Sequence, residues 1–201
     1  MLLAGEDTTA NTLAWMLWLL AGHPQAAAAA REEVDRVLGD ATGVRALEQL
    51  QQLDLVDACA SEAMRLRPVA PFIMNQCIED TVVGGVRVRK GQFVICLMRM
   101  PGMDPAAFAR PEAFDPMRWL GAEGATNAMA SARRHSMPFG AGPRMCPGRY
   151  LALAEIKLVA AMVLKNFDLL EVAPDGGGEP REQISIVMAP VGLRMRVGRR
   201  R

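Results

Sequence analysis

The stretch Phe139-Gly140-Ala141-Gly142-Pro143-Arg144-Met145-Cys146-Pro147-Gly148 places a cysteine two residues after an arginine, among glycines that permit tight turns, just ahead of an apolar helical run. A lone cysteine is most often a small buried hydrophobe. Here the sulfur falls at the start of a helix. The positive end of the dipole and free backbone amides favour the thiolate there and make it a good metal ligand. Two further groups combine polar types at short spacing. Ala4-Gly5-Glu6-Asp7-Thr8-Thr9 sets a glycine, two acids and two alcohols inside an otherwise apolar helix. Hydroxyls in that setting compete for backbone carbonyls and open the helical ladder, so a bent helix with solvated acids is the plain reading. Glu62 and Arg65 stand at i and i+3 on one helix face; if exposed, such a pair contributes only about 0.2–0.5 kcal/mol.

The elements that must position these groups follow from periodicity and punctuation. Leu2 to about Ala21 carries apolar residues at helical spacing, and Gly22-His23-Pro24 stops that helix and starts a second, alanine-rich one that closes at Gly39. A third helix is predicted from about Leu47 to Leu66, ending at Pro68. After Pro71, β-branched alternation with Gly84-Gly85 in a turn predicts a small antiparallel sheet. Asp104 to Arg110 reads as one or two helical turns, and Pro111 to Ser136 as irregular chain. The run from Arg149 to Phe167 is a strong helix. Short strands follow near Phe167 to Val172, Ile184 to Met188 and Leu193 to Val197, with Gly176-Gly177-Gly178 as a flexible turn between them. The expected fold class is mainly α with small antiparallel β-sheets (α+β).

Composition narrows the function. The 201 residues hold 23 basic and 22 acidic side chains, for a net charge of +1, so no long-range field points to nucleic acid or an anionic membrane. The arginines at 194, 196, 199, 200 and 201 make a locally basic end that reads as solvated chain. Cysteines at 59, 77, 96 and 146 form no CxxC pair, and His23 and His135 alone could supplement them, which argues against a zinc site. The longest apolar stretch, Leu13 to Ala21, is too short to span a bilayer. The expectation is a cytoplasmic, reducing location and a chain with no membrane segment. Leu2 opens directly as helix interior with no capping residue before it, so the chain is expected to continue something larger.

The ten residues Phe139 to Gly148 resemble, at every fixed position, the haem-binding loop of the cytochrome P-450 family, haem-thiolate monooxygenases. The resemblance implies haem b (iron protoporphyrin IX) held through the Cys146 thiolate, with Gly140 and Gly148 shaping the loop. It also implies Arg144 paired to a haem propionate and Phe139 packed beside the sulfur. By the same resemblance, Ala4 and Gly5 give dioxygen room, Asp7 relays protons and Thr8 is the alcohol that hydrogen-bonds dioxygen. Glu62 and Arg65 match the family's Glu-x-x-Arg pair, which forms a buried structural triad with Arg118 of Asp115-Pro116-Met117-Arg118-Trp119. Val69, Ala70 and Phe72, with Ile186 and Val187, would line the pocket of an apolar small-molecule substrate. Electrons would come from a ferredoxin, flavodoxin or flavoprotein reductase.

The resemblance covers residues 1–201 but begins midway through the family's long central helix, so the expected unit is a partial domain that lacks the N-terminal half and exposes the faces that half would cover. Two departures stand out. Asn75 and Gln76 occupy the stretch where many relatives carry a cationic propionate ligand. In Met98 to Pro105, Asp104 and Pro105 are kept while a histidine common in relatives is absent. Two other readings stay open: a truncated, non-catalytic haem-binding remnant, and a reductase-independent peroxygenase or isomerase of the same family. The Asp7-Thr8 pair argues against the last.

Overall fold

A computed structural model describes residues 2–121, 132, 134–185 and 187–200. Six helices are described: α1 (Leu2–Gly22), α2 (Pro24–Leu38), α3 (Leu47–Gln51), α4 (Asp54–Leu66), α5 (Arg99–Gly102) and α6 (Arg149–Asn166). Eight strands form four separate antiparallel pairs. β1 (Phe72–Gln76) pairs with β4 (Phe93–Leu97), and β2 (Thr81–Val83) with β3 (Val86–Val88). β5 (Phe167–Pro174) pairs with β8 (Leu193–Arg199), and β6 (Arg181–Ile184) with β7 (Met188–Val191). The expected class, helices with small antiparallel sheets, is what the chain builds.

The core is the meeting of α1, α2, α4 and α6. Met16, Leu20, Val34, Val56, Ala60, Ile156, Ala160 and Leu164 are buried in one cluster. Alanines on α4 and α6, Ala60, Ala63, Ala160 and Ala161, permit close approach of the backbones, Leu53 packs into the same cluster, and each of these side chains is fully enclosed. The tail is tied back to this body. Arg200 donates to Asp35 and to the last carbonyls of α6, at Leu164 and Lys165, while Lys165 reaches Asp35 at 2.9 Å and the Gly39 carbonyl at 2.6 Å. Burial pushes the Asp35 carboxyl up, but hydrogen bonds from Arg200 and Lys165 outweigh it and hold the group below the ordinary carboxylate range.

Three expectations are corrected. The helix expected over Leu47 to Leu66 is two helices, broken at Gln52-Leu53. The break lets Leu50 and Leu53 both bury. It also frees the first amides of α4, which the Glu33 carboxylate caps from α2, accepting from Leu55 and Val56 at 2.9–3.0 Å. Asp104 to Arg110 forms turns and not a helix. The Asp104 side chain takes the Ala106 amide at 2.9 Å, and Arg110 adopts φ 51°, a left-handed conformation that ends any helical continuation. The strand expected over Ile184 to Met188 is instead the reversal of the β6–β7 hairpin, with Ser185 donating to the Val187 carbonyl and Ile184 paired to Met188. Much of the irregular stretch ahead of Ser136, residues 122–131 and 133, lies outside the described residues, as do Ile186 and Arg201.

Large apolar side chains stand exposed on the β1–β4 pair. Phe72, Met74, Phe93, Ile95 and Leu97 are each roughly half exposed, and the register sets them on one face. On the opposite face Ile73 and Val94 are half-buried, and Ile73 lies against the cysteine loop at Gly140, while Asn75 and Cys96 remain exposed.

Candidate functional site

The loop before α6 is folded by its glycines and prolines. Gly140 and Gly142 take φ of 71° and 67°, conformations that side-chain-bearing residues avoid, and Gly142–Arg144 form one 3-10 turn. At Gly140 a methyl group would also stand 3.3 Å from the Ile73 Cδ1 atom, so the position is closed on both counts. The Cys146 amide donates to the Phe139 carbonyl at 2.9 Å, and the Met145 amide to Gly142 at 3.1 Å. The loop therefore closes on itself without using the sulfur. Helix α6 begins three residues later with Gly148 as its cap, and a Cβ at Gly148 would lie 3.8 Å from the Cys146 sulfur. Cys146 is an exposed free thiol.

Phe139 is half-buried beneath this loop, with the Arg149 guanidinium 5.9 Å from its ring centroid. Arg144 is exposed and makes no ion pair among the described residues. A thiol donor, an unpaired guanidinium two residues away and apolar surface nearby fit a flat, carboxylate-bearing apolar group whose metal takes a sulfur ligand.

On α1 the polar run lies near the helix start. The Thr8 hydroxyl donates to the Ala4 carbonyl at 2.9 Å, Thr12 to Thr8 at 2.8 Å, and the Asn11 amide to Asp7 at 2.8 Å. The carbonyls of Ala4, Asp7 and Thr8 are thus shared with side chains, the competition expected from polar side chains within a helix. Asp7 is exposed, Thr8 half-buried, and nothing lies within 4 Å of where a Cβ of Gly5 would stand.

The structure brings Glu62, Arg65 and Arg118 together and encloses them. Glu62 accepts from Arg65 Nε and Nη2 at 2.8 Å each and from Arg118 Nε at 2.9 Å. Side-chain exposure is 0% for Glu62 and Arg65 and 9% for Arg118. Sequence reasoning missed the rest of the shell. Trp119 Nε1 and the Asp115 amide also donate to Glu62, while Arg65 donates to the carbonyls of Gly102, Pro111 and Ala113. Gly102 carries no signal of this role in the sequence. A Cβ there would sit 3.0 Å from Arg65 Cγ and 3.3 Å from the Arg65 carbonyl oxygen.

Val69 and Ala70 are half-buried in the turn after α4, Phe72 is exposed, and Val187 is buried beside Met188. The Met188 amide donates to the Val69 carbonyl at 2.8 Å, so the two segments named as pocket walls do meet. Gln76 is committed elsewhere: its amide donates to the Gly91 carbonyl at 3.1 Å, which leaves Asn75 as the free amide of that pair.

The chain is thus a helical body that presents the Cys146 sulfur from a self-closed loop, beside an Arg144 guanidinium with no ion pair among the described residues. It belongs to the Cytochrome P-450 family, whose sequence model matches residues 1–197. It is 37% identical over 198 residues to human cytochrome P-450 4F12, covering 96% of this chain and 36% of that protein. To the human mitochondrial 25-hydroxyvitamin D-1 alpha hydroxylase it is 35% identical over 192 residues, covering 94% of this chain and 36% of the relative. Among solved structures, a mutant haem domain of cytochrome P450DA superposes with a TM-score of 0.86 at 34% identity, covering all of this chain and 42% of that one. The chain thus spans little more than a third of the curated relatives it matches. The family is one of haem-dependent hydroxylases and related monooxygenases, and no described helix is long and apolar enough to cross a membrane.

Proposed function

We propose that this chain is the haem-ligating portion of a monooxygenase that inserts one oxygen atom of dioxygen into an apolar organic substrate. The observation that carries the reading is the exposed Cys146 thiol on a loop whose hydrogen bonds and glycine conformations are complete without it. Cys146 would hold haem b through its sulfur, Arg144 would neutralise a haem carboxylate, and Phe139 would exclude water beside the sulfur. When bound, the haem would supply the iron at which dioxygen is cleaved with electrons from a ferredoxin, flavodoxin or flavoprotein reductase, the second oxygen leaving as water.

The chain's own residues supply the proton side of that chemistry. Because the Thr8 hydroxyl spends its hydrogen on Ala4, it is left as an acceptor, which suits a group that would hold a water or an acidic proton in place. The exposed Asp7 carboxylate has no protein partner among the described residues, which suits a group that takes protons from solvent and passes them inward. Val69, Ala70, Phe72 and Val187 would give the substrate an apolar wall; Ile186, assigned to the same wall, lies outside the described residues. Four free cysteines support a reducing compartment such as the cytoplasm.

The test is haem titration of the chain followed by reduction under carbon monoxide, in parallel with Cys146→Ser. The wild type should give the absorption band of thiolate-ligated haem and the variant should not; identical spectra from the two would end the proposal.

A further inference from the structure

One acidic side chain of the tail hairpin β6–β7, Glu182, is held by arginines from two other parts of the molecule. Glu182, on β6, takes a two-pronged contact from Arg99: Nη1 donates to Oε2 at 3.0 Å and Nη2 to Oε1 at 2.5 Å. Arg67, at the end of α4, stands with Nε 3.4 Å from the same Oε1 and pairs through Nη2 with Glu179. The Arg67 guanidinium is also fixed from behind, 5.4 Å and 5.6 Å from the ring centroids of Trp15 and Trp18 on α1. Glu182 and the two arginines on it are partly screened from water, with Arg67 18%, Glu182 27% and Arg99 31% exposed. Arg99 continues past the carboxylate to the Met188 sulfur at 3.8 Å, and the Met188 amide donates to Val69. One fork therefore reaches both strands of the hairpin.

We infer that Glu182, held between Arg99 and Arg67, is a positioning residue that fixes the spacing between Val187 and Val69 and thereby sets which apolar substrates fit. This rests on the reading of those two residues as pocket wall. The physical argument is that a two-stranded hairpin has marginal stability by itself. Beyond the Met188–Val69 bond, orientation against the turn after α4 must come from directional, charge-assisted contacts. A bidentate guanidinium–carboxylate pair supplies that direction, whereas apolar contact alone would permit sliding.

The test uses the haem-loaded chain and two nitrogen-donor probes read by absorbance: imidazole, and 4-phenylimidazole, which adds an apolar ring. Glu182→Gln keeps the shape and removes the charge. It should weaken 4-phenylimidazole by about tenfold, in the range expected for a disturbed apolar wall, while imidazole shifts by less than about twofold. Arg99→Gln should reproduce the change if Glu182→Gln does not fold, and exchanging the charges, Arg99→Glu with Glu182→Arg, should restore the ratio of the two constants. Equal weakening of both probes, or an unchanged ratio in both single variants, would overturn the inference. A wild type that responds to neither probe removes the pocket reading and the clamp together. A wild type that binds both, with variants that keep its ratio, removes the clamp alone.

Discussion

Two polar constellations in this chain are finished to different degrees. Around Glu62 five donors, from Arg65, Arg118, Trp119 and the Asp115 amide, close on one carboxylate that water does not reach. Around Cys146 the backbone is equally well specified, yet the thiol and the Arg144 guanidinium are left open. A charge enclosed by its own protein is architecture: it ties the chain between Gly102 and Trp119 to α4. Polar groups held in place but left unmatched are an address for something else.

The comparison is broken most severely at its closed end. Glu62→Ala leaves two buried guanidinium groups without their counter-ion, a loss of roughly 3–5 kcal/mol that should leave little folded protein by circular dichroism. Melting at wild-type temperature would show that the enclosed network is ornamental. Gly102→Ala strikes the same network sterically. With Arg65 pinned by three carbonyls, the 3.0 Å and 3.3 Å approaches cannot relax freely, and a loss of about 1–3 kcal/mol is expected in chemical denaturation. Cys146→Ser should do the reverse. An exposed side chain that makes no structural contact should change stability by less than about 0.5 kcal/mol while abolishing thiolate ligation.

A gentler probe sharpens the contrast between two cysteines of one chain. Burial pushes the Cys59 thiol up to about 12, with the Glu33 and Glu62 carboxylates adding to the effect. Iodoacetamide at pH 8 should modify Cys146 and Cys96 and spare Cys59 in the folded chain, as peptide mass spectrometry can read. The sign of the linkage follows. Cys59 favours the folded state most below its ordinary value of 9.0, and that contribution fades as pH rises from there towards about 12.

How much of this was legible beforehand differs between the two constellations. The cysteine loop is contiguous, so its glycines, prolines, arginine and sulfur could be read as one unit, and the structure keeps them as one. The Glu62 network is dispersed along the chain, its most distant partners Glu62 and Trp119 standing 57 positions apart, and only its charged members announced themselves. The carbonyls of Gly102, Pro111 and Ala113 carry no residue signature at all, since any residue offers one. The break between α3 and α4 was hidden for a related reason. Its cap, Glu33, lies 22 residues upstream of Leu55, and helical periodicity continues through the interruption. Asp104-Pro105 misled in the opposite direction, because a pairing that often starts a helix here folds an isolated turn around the Asp104 side chain. Local chemistry survives in sequence, whereas tertiary hydrogen bonding must be seen.

The most direct measurement of the central claim is X-ray absorption at the iron edge of the haem-loaded chain, compared with Cys146→Ser. A sulfur scatterer bound to iron in the wild type and lost in the variant is the predicted result. A first shell of nitrogen and oxygen alone in the wild type, or sulfur that persists in the variant, would contradict the assignment of Cys146.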